Sequence, residues 1–224
     1  MAKLTTTSYA ILGLLARRDW SAYELTKYMQ LSAVRAVWPR TESRIYLEFK
    51  NLIAHQLATA ERQEKQGRKR SVYSITALGR QQLGEWLQEE QGSLRLESEP
   101  LLKLLYCDLE PAAFTRQLAH MKRCLRDELD AMSSAVNEAL QAGLFFPENA
   151  QQNAQLLTLL TSMVDARYRW ICELENALPA ADDHASDADK ANKIYQAQAQ
   201  KLESLCAKTR DWAANDKHRA HRID

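Results

Sequence analysis

Ser43, Arg44, Leu47, Lys50 and Asn51 fall on one side of a helical repeat whose other side carries Ile45, Phe49, Leu52 and Ile53 at i, i+4, i+7 and i+8. Arginine and lysine reach guanine and phosphate, and short hydroxyl and amide side chains bond base edges. A helix that is apolar behind and polar-basic in front therefore suits a DNA major groove. A solvated helix face can have the same composition, so the helix alone leaves both readings open. Further on, Lys65-Gln66-Gly67-Arg68-Lys69-Arg70 forms a Gly-containing turn with three consecutive cations. Such a turn would neutralise phosphates beside or within a minor groove.

Other chemistries find little support. There is no G-x-S-x-G, no Gly-rich phosphate loop and no H-E-x-x-H. Asp127 and Glu128 are adjacent on a helix and so face different directions. Cys107, Cys124, Cys172 and Cys206 make no C-x-x-C pair, which disfavours zinc or thioredoxin-type chemistry and fits thiols in a reducing compartment. Among the five histidines, His218 and His221 are three apart, but in a basic tail. No enzyme activity, cofactor or metal is expected.

The elements that must position the polar helix are legible. Gly and Pro number only 6 and 5 in 224 residues, and Ala, Leu, Gln, Glu, Lys and Arg abound, so a mainly helical protein is expected. Thr5 to Arg18 carries a helical stripe of Tyr9, Ile11, Leu12, Leu14 and Leu15. Asp19-Trp20-Ser21 breaks it, and Ser21 with Glu24 makes a capping box for a second helix, Ala22 to Gln30. Trp38-Pro39 marks the next boundary, and Thr41 caps the third helix. Leu57 to Glu64 and Ser71 to Ile75 read as two short strands around the basic turn, and Thr76 caps a fourth helix through Leu78, Leu83, Trp86 and Leu87. Helix, helix, helix, strand, basic turn, strand, helix is the order of a winged helix-turn-helix.

After Gly92-Ser93 the pattern lengthens. Leu101 to Leu109 is short and apolar. Pro111 opens a long helix with Phe114, Leu118, Met121, Leu125, Leu129, Met132, Val136 and Leu140 in steps of 3 and 4, ending at Gly143. A stripe of that length needs another helix to cover it. The next helix, about Asn149 to Leu178, is apolar over too wide a face for a two-helix seam, so it should meet both its neighbour and a second chain. Pro179 to Asp187 reads as an acidic connection and Ala188 to Ala214 as a last helix, with a basic end at Lys217 to Arg222. The net charge of +1 hides an asymmetry: residues 1–90 hold 14 basic against 9 acidic groups, and residues 91–224 hold 16 against 20. The basic half is the one expected to meet a polyanion. No stretch of about 18 apolar residues suggests a membrane span, and the start lacks the pattern of a secretory signal, so a cytoplasmic, nucleoid-associated protein is expected.

These residues resemble the PadR family of bacterial transcriptional regulators from about Ser8 to Leu87. Ala10-Ile11-Leu12-Gly13-Leu14-Leu15 is similar to the opening helix of the family, and Ser21-Ala22-Tyr23-Glu24-Leu25 to the start of its second. Arg44-Ile45-Tyr46 with Phe49 and Leu52 resembles its recognition helix. Gly67 to Thr76, then Gly79, resembles its wing and the strand into the next helix. Ala22 stands for a usual Gly, Leu47 for a frequent Pro, Gln56 for the Gly before the first strand and Lys69 for a Pro in the wing. The first and third departures should shift local backbone preference without removing the fold. The long C-terminal helices resemble the larger, Vir-type branch.

The resemblance implies a homodimeric repressor on double-stranded DNA with a palindromic operator, released by a small phenolic or aromatic effector. The expected organisation is a winged helix-turn-helix with a two-stranded hairpin at residues 1–91, an all-α dimerisation and effector domain at 92–178, and a connection plus terminal helix at 179–224. DNA contacts are expected from Arg40, Thr41, Ser43, Arg44, Tyr46, Leu47, Lys50, Arg68, Lys69 and Arg70. Effector contacts are expected from Trp38, Tyr106, Arg167, Tyr168 and Trp170, and dimer contacts from Leu118, Leu125, Leu160, Trp170, Ile171 and Leu174. The alternative is a winged helix used only for protein contacts.

Overall fold

Local capping sets the start of each N-terminal helix. Thr5 and Ser8 form a reciprocal capping box at the start of α1 (Thr6–Arg17). Ser21 and Glu24 do the same for α2 (Ala22–Leu31). Ser32 caps a short α3 (Ala33–Val37), which the sequence pattern did not reveal. Thr41 accepts from the Arg44 backbone N–H to open α4 (Glu42–Ala54), the helix expected as the third. In this computed structural model the described residues are 4–65, 68–90, 92–94, 96–110, 112–176 and 187–209.

Two strands follow, β2 (Ala58–Lys65) and β3 (Arg68–Ile75), and Thr76 caps α5 (Ala77–Gln88). The two strands form the expected two-stranded hairpin, and a third, short strand extends it to a three-stranded sheet. Trp20–Ser21 forms β1, which pairs antiparallel with β3 through Trp20 opposite Tyr73 and Ser21 opposite Val72, giving the order β1-β3-β2. Two residues have no alternation to read, so this strand was invisible locally. The expected basic turn is also largely strand: Arg68, Lys69 and Arg70 pair with Lys65, Glu64 and Gln63. Only Gln66 and Gly67 separate the strands, and both lie outside the described residues. Thr59 to Glu64 is exposed throughout, so the distal hairpin projects from the core as a wing.

The core closes between α1, α2, α4, α5 and the sheet. Ile11, Leu12, Leu25, Ile45 and Leu52 are fully buried, with Leu15, Trp20 and Phe49 nearly so. Phe49 packs on Tyr73 with ring centroids 4.4 Å apart, and Tyr9 stacks on Trp86 at 4.8 Å. The Trp20 indole N–H donates to the Leu14 carbonyl.

Two backbone details fix how α4 hands over to the sheet. The Gln56 and Leu57 N–H groups donate to the Ile53 and Leu52 carbonyls, the two bonds of a Schellman motif. Its left-handed residue is Gln56, at φ +58°. The glutamine therefore leaves the turn in the conformation a glycine would adopt freely, at a steric cost of about 1–2 kcal/mol. Gly79, in the first turn of α5, is required by contact: a Cβ there would sit 2.1 Å from the Leu57 carbonyl oxygen.

Beyond the winged helix lie α6 (Glu99–Leu104), a 3₁₀ turn (Cys107–Leu109), α7 (Ala113–Ala142), a second 3₁₀ turn (Pro147–Asn149) and α8 (Ala150–Asn176). Gly143, at φ +87°, ends α7. Ion pairs from Lys122 to Glu175 and from Arg167 to Glu128 show α7 and α8 running antiparallel. Between them lie Leu118, Met121, Leu125, Val164 and Ile171, flanked by Leu101, Phe114, Met132, Trp170 and Leu174.

Chain contacts divide the molecule into residues 1–175 and 176–224. The second unit contains α9 (Asp187–Thr209), whose Ile194, Tyr195, Leu202 and Leu205 are exposed. Of the expected connection, Pro179 to Ser186 lies outside the described residues, as do the end of the last helix, Trp212 and the basic tail, while Asp187 opens α9. Among the described residues no helix is long and apolar enough to cross a membrane.

Candidate DNA-binding surface

On α4, Ser43, Arg44, Tyr46, Leu47 and Lys50 are all exposed, as is its cap Thr41, and Arg40 is half-buried just before it. Tyr46 and Leu47 are 40% and 46% exposed although both are large and apolar, so this face presents more than a charged film to its surroundings. The helix is tethered from behind. Ser8, buried on α1, donates from Oγ to Glu48 Oε2 at 2.6 Å, and its neighbour Thr7, also buried, accepts at Oγ1 from the indole N–H of Trp38, at the end of α3, at 3.1 Å.

The buried face of α4 differs from the expected set in two positions. Ile53 is 36% exposed, and the core position at i+3 from Ile45 belongs instead to Glu48, which is 1% exposed. Helical spacing would have placed Glu48 there, but a carboxylate is not counted when apolar residues are matched. Asn51 also differs, being half-buried and donating weakly to Glu48 Oε2 at 3.4 Å.

Several of the expected cations have partners inside the molecule. Arg44 Nη2 lies 3.0 Å from Glu48 Oε1. Arg40 stacks over the Trp38 ring at 4.0 Å and donates to the Pro39 carbonyl. Arg70, on the wing, pairs with Glu24 at 3.0 Å. Glu24 is held below the ordinary carboxylate range chiefly by the Ser21 hydroxyl, with smaller help from the Ser21 backbone N–H and from Arg70, against a burial effect of opposite sign. Arg68 and Lys69 are placed by backbone register, and their side chains lie outside the described residues.

The residues considered for an effector are spread over separate elements. Trp38 is engaged with Thr7 and Arg40. Tyr106, 58% exposed, lies after α6. On α8, Arg167 is paired with Glu128, and Trp170 is half-buried against α7. The Tyr168 phenol is raised by its hydrogen bond to Cys172. The sequence reading missed a different aromatic cluster. Trp20 and Tyr28 of the winged helix meet Phe145 and Phe146 of the α7–α8 connection, with centroids 4.9 to 6.2 Å apart. Arg18 lies over Trp20 at 3.7 Å and over Phe145 at 5.0 Å, and Arg17 pairs with Glu148. The adjacent Phe145-Phe146, just after a helix-ending glycine, was the available signal.

Of the expected dimer contacts, Leu118, Leu125 and Ile171 are buried within the protomer by the α7–α8 pair, and Leu160, Trp170 and Leu174 are half-buried. The large apolar side chains exposed on these helices include Leu129, Leu140, Leu159 and Met163. Among the described residues no group of three His, Cys, Asp or Glu is placed to hold a metal.

Residues 11–85 match the transcriptional regulator PadR-like family. The negative transcriptional regulator PadR of Bacillus subtilis (strain 168) is 36% identical over 85 residues, 37% of this chain. That match spans about half the relative's length, 46%. Two solved structures share the fold. Bacillus subtilis PadR in complex with operator DNA is 24% identical, covers 77% of this chain and 97% of its own, and has a TM-score of 0.58. The same protein in complex with p-coumaric acid is 25% identical, covers 75% and 91%, and has a TM-score of 0.52. The winged helix described above is accordingly a domain of the transcriptional regulator PadR-like family, carried by this chain at residues 11–85.

Proposed function

We propose that the chain is a sequence-specific, DNA-binding transcriptional regulator that acts as a homodimeric repressor. The observation that carries this reading is the exposed face of α4, where Ser43, Arg44, Tyr46, Leu47 and Lys50 stand clear of the core on a winged-helix scaffold. That face enters a major groove, and Arg68, Lys69 and Arg70 hold phosphates from the wing. Arg70 exchanges Glu24 for phosphate on binding. One winged helix contacts few bases, and two at fixed spacing double the contact set.

Residues 1–91 serve as the DNA-binding domain, residues 92–178 as the dimerisation and effector domain, and residues 179–224 as a connection and terminal helix, as in the larger, Vir-type branch. The exposed apolar residues of α7 and α8 support a second copy on that face, with Leu160, Trp170 and Leu174 at its edge and Leu118, Leu125 and Ile171 behind them. A small aromatic effector releases the operator. Support comes from the p-coumaric acid complex of the related Bacillus subtilis protein. The aromatic and basic groups Trp38, Tyr106, Arg167, Tyr168 and Trp170 are the candidates for contact with it.

Selection of bound sequences from random duplex DNA at two salt concentrations tests this reading. A palindromic motif whose affinity falls steeply with salt is the expected result. Arg68→Ala then lowers the salt slope by about one phosphate's worth. Absence of binding at either salt would favour a winged helix used for protein contacts.

A further inference from the structure

Glu48 is a fully buried carboxylate at the centre of the helix assigned to the groove. Its Oε2 is occupied by the Ser8 hydroxyl at 2.6 Å. Its Oε1 lacks a well-aligned hydrogen bond and faces Arg44 Nη2 at 3.0 Å. A buried carboxylate without a countercharge is costly, so the pair has a strong reason to persist. Arg44 itself remains 45% exposed, so part of its side chain is open to the surroundings.

An arginine reads guanine through a planar fork whose two N–H groups must meet O6 and N7 together. A long side chain free in water samples many rotamers and is equally ready to meet a phosphate. One fixed by a buried carboxylate on the same helix has lost that freedom before DNA arrives. The carboxylate is fixed in turn by Ser8 on α1, so the anchor belongs to the core rather than to the surface.

We infer that Glu48 is a positioning residue that sets sequence discrimination by holding Arg44 for base reading. The inference rests on the groove-binding reading of α4 and names what makes one of its side chains selective.

The test compares wild type, Glu48→Gln, Glu48→Leu, Arg44→Ala and the Arg44→Ala/Glu48→Gln double variant in the full chain. The probes are the operator selected by the wild type, single-base-pair variants of it and random duplex. Glu48→Gln should lower discrimination at one operator position by about tenfold. It should also steepen the salt dependence by about one phosphate contact, as the freed guanidinium finds the backbone. Glu48→Leu, which fills the core position without charge, should give the same loss and keeps the test alive if the amide variant folds poorly. With Arg44 already Ala, the Glu48 change should have no further effect on discrimination. Unchanged discrimination in both Glu48 variants, an equal loss on every sequence, or the same effect in the Arg44→Ala background would overturn the inference while leaving α4 as the groove helix. A wild-type protein that binds no DNA would instead remove the underlying reading and this inference with it.

Discussion

The winged helix and the α7–α8 pair are built from similar apolar periodicities, yet they bury them differently. In the first, Ile11, Leu12, Leu25, Ile45 and Leu52 are 0% exposed. In the second, the most buried residue is Val164 at 3%, while Leu159 remains 50% and Leu140 77% exposed. Helices crossing over a sheet surround their core on several sides. Two antiparallel helices cover only one stripe each, so Leu129 and Leu140 of α7 and Leu159 and Met163 of α8 stay exposed. The first region buries its apolar face within one chain, whereas the second leaves part of its own exposed, as the proposed second copy requires.

Four substitutions break or sharpen this contrast. Phe49→Ala should be the most damaging, costing about 3–5 kcal/mol of folding stability in denaturant unfolding, because Phe49 is buried and its loss leaves a cavity in the core. Next comes Leu159→Asp. If a second copy covers α8, a buried unpaired charge there should weaken self-association by about a hundredfold, roughly 2.7 kcal/mol, in sedimentation. The thermal transition of the winged helix should stay in place, and an unchanged oligomeric state would leave the exposed apolar face without the proposed partner. Gly79→Ala should destabilise by about 1–3 kcal/mol, since its Cβ meets the Leu57 carbonyl. Gln56→Gly should act in the opposite direction, raising stability by about 1 kcal/mol through relief of its positive φ. A destabilised Gln56→Gly would mean the glutamine side chain contributes more than its backbone strain costs.

Acid should also separate the two sides of the wing. Glu24 has a lowered pKa in the folded chain, so its contribution is present above the unfolded pKa. It is lost as pH falls through the folded value. The cap of α2 and the hold on Arg70 should loosen together in that range, which amide exchange across Ser21 to Leu25 would follow.

Much of the winged-helix scaffold was legible because its determinants are local. Ser21 with Glu24, Thr41 and Thr76 each cap the helix their position announces. Ile45, Phe49 and Leu52 form the buried face that their spacing predicts. Other features had no local signal. Trp20–Ser21 becomes a strand only because β3 lies beside it. The cluster of Trp20, Tyr28, Phe145 and Phe146 draws on segments more than 100 residues apart. The periodicity of Leu118, Leu125 and Ile171 identifies an apolar stripe and not the helix that covers it, which is the other member of the α7–α8 pair.

The sequence by itself determined where helices begin, which order of elements follows, and which short helix presents polar and basic side chains, because caps and periodicities act over three or four residues. Tertiary structure decided which of those polar groups are free. Ser8 finds Glu48 across 40 residues, and Arg70 finds Glu24 across 46. Burial of a carboxylate and partnering of an arginine depend on what the fold brings within a few ångströms. That information belongs to the packed core and not to the neighbouring residues in the chain.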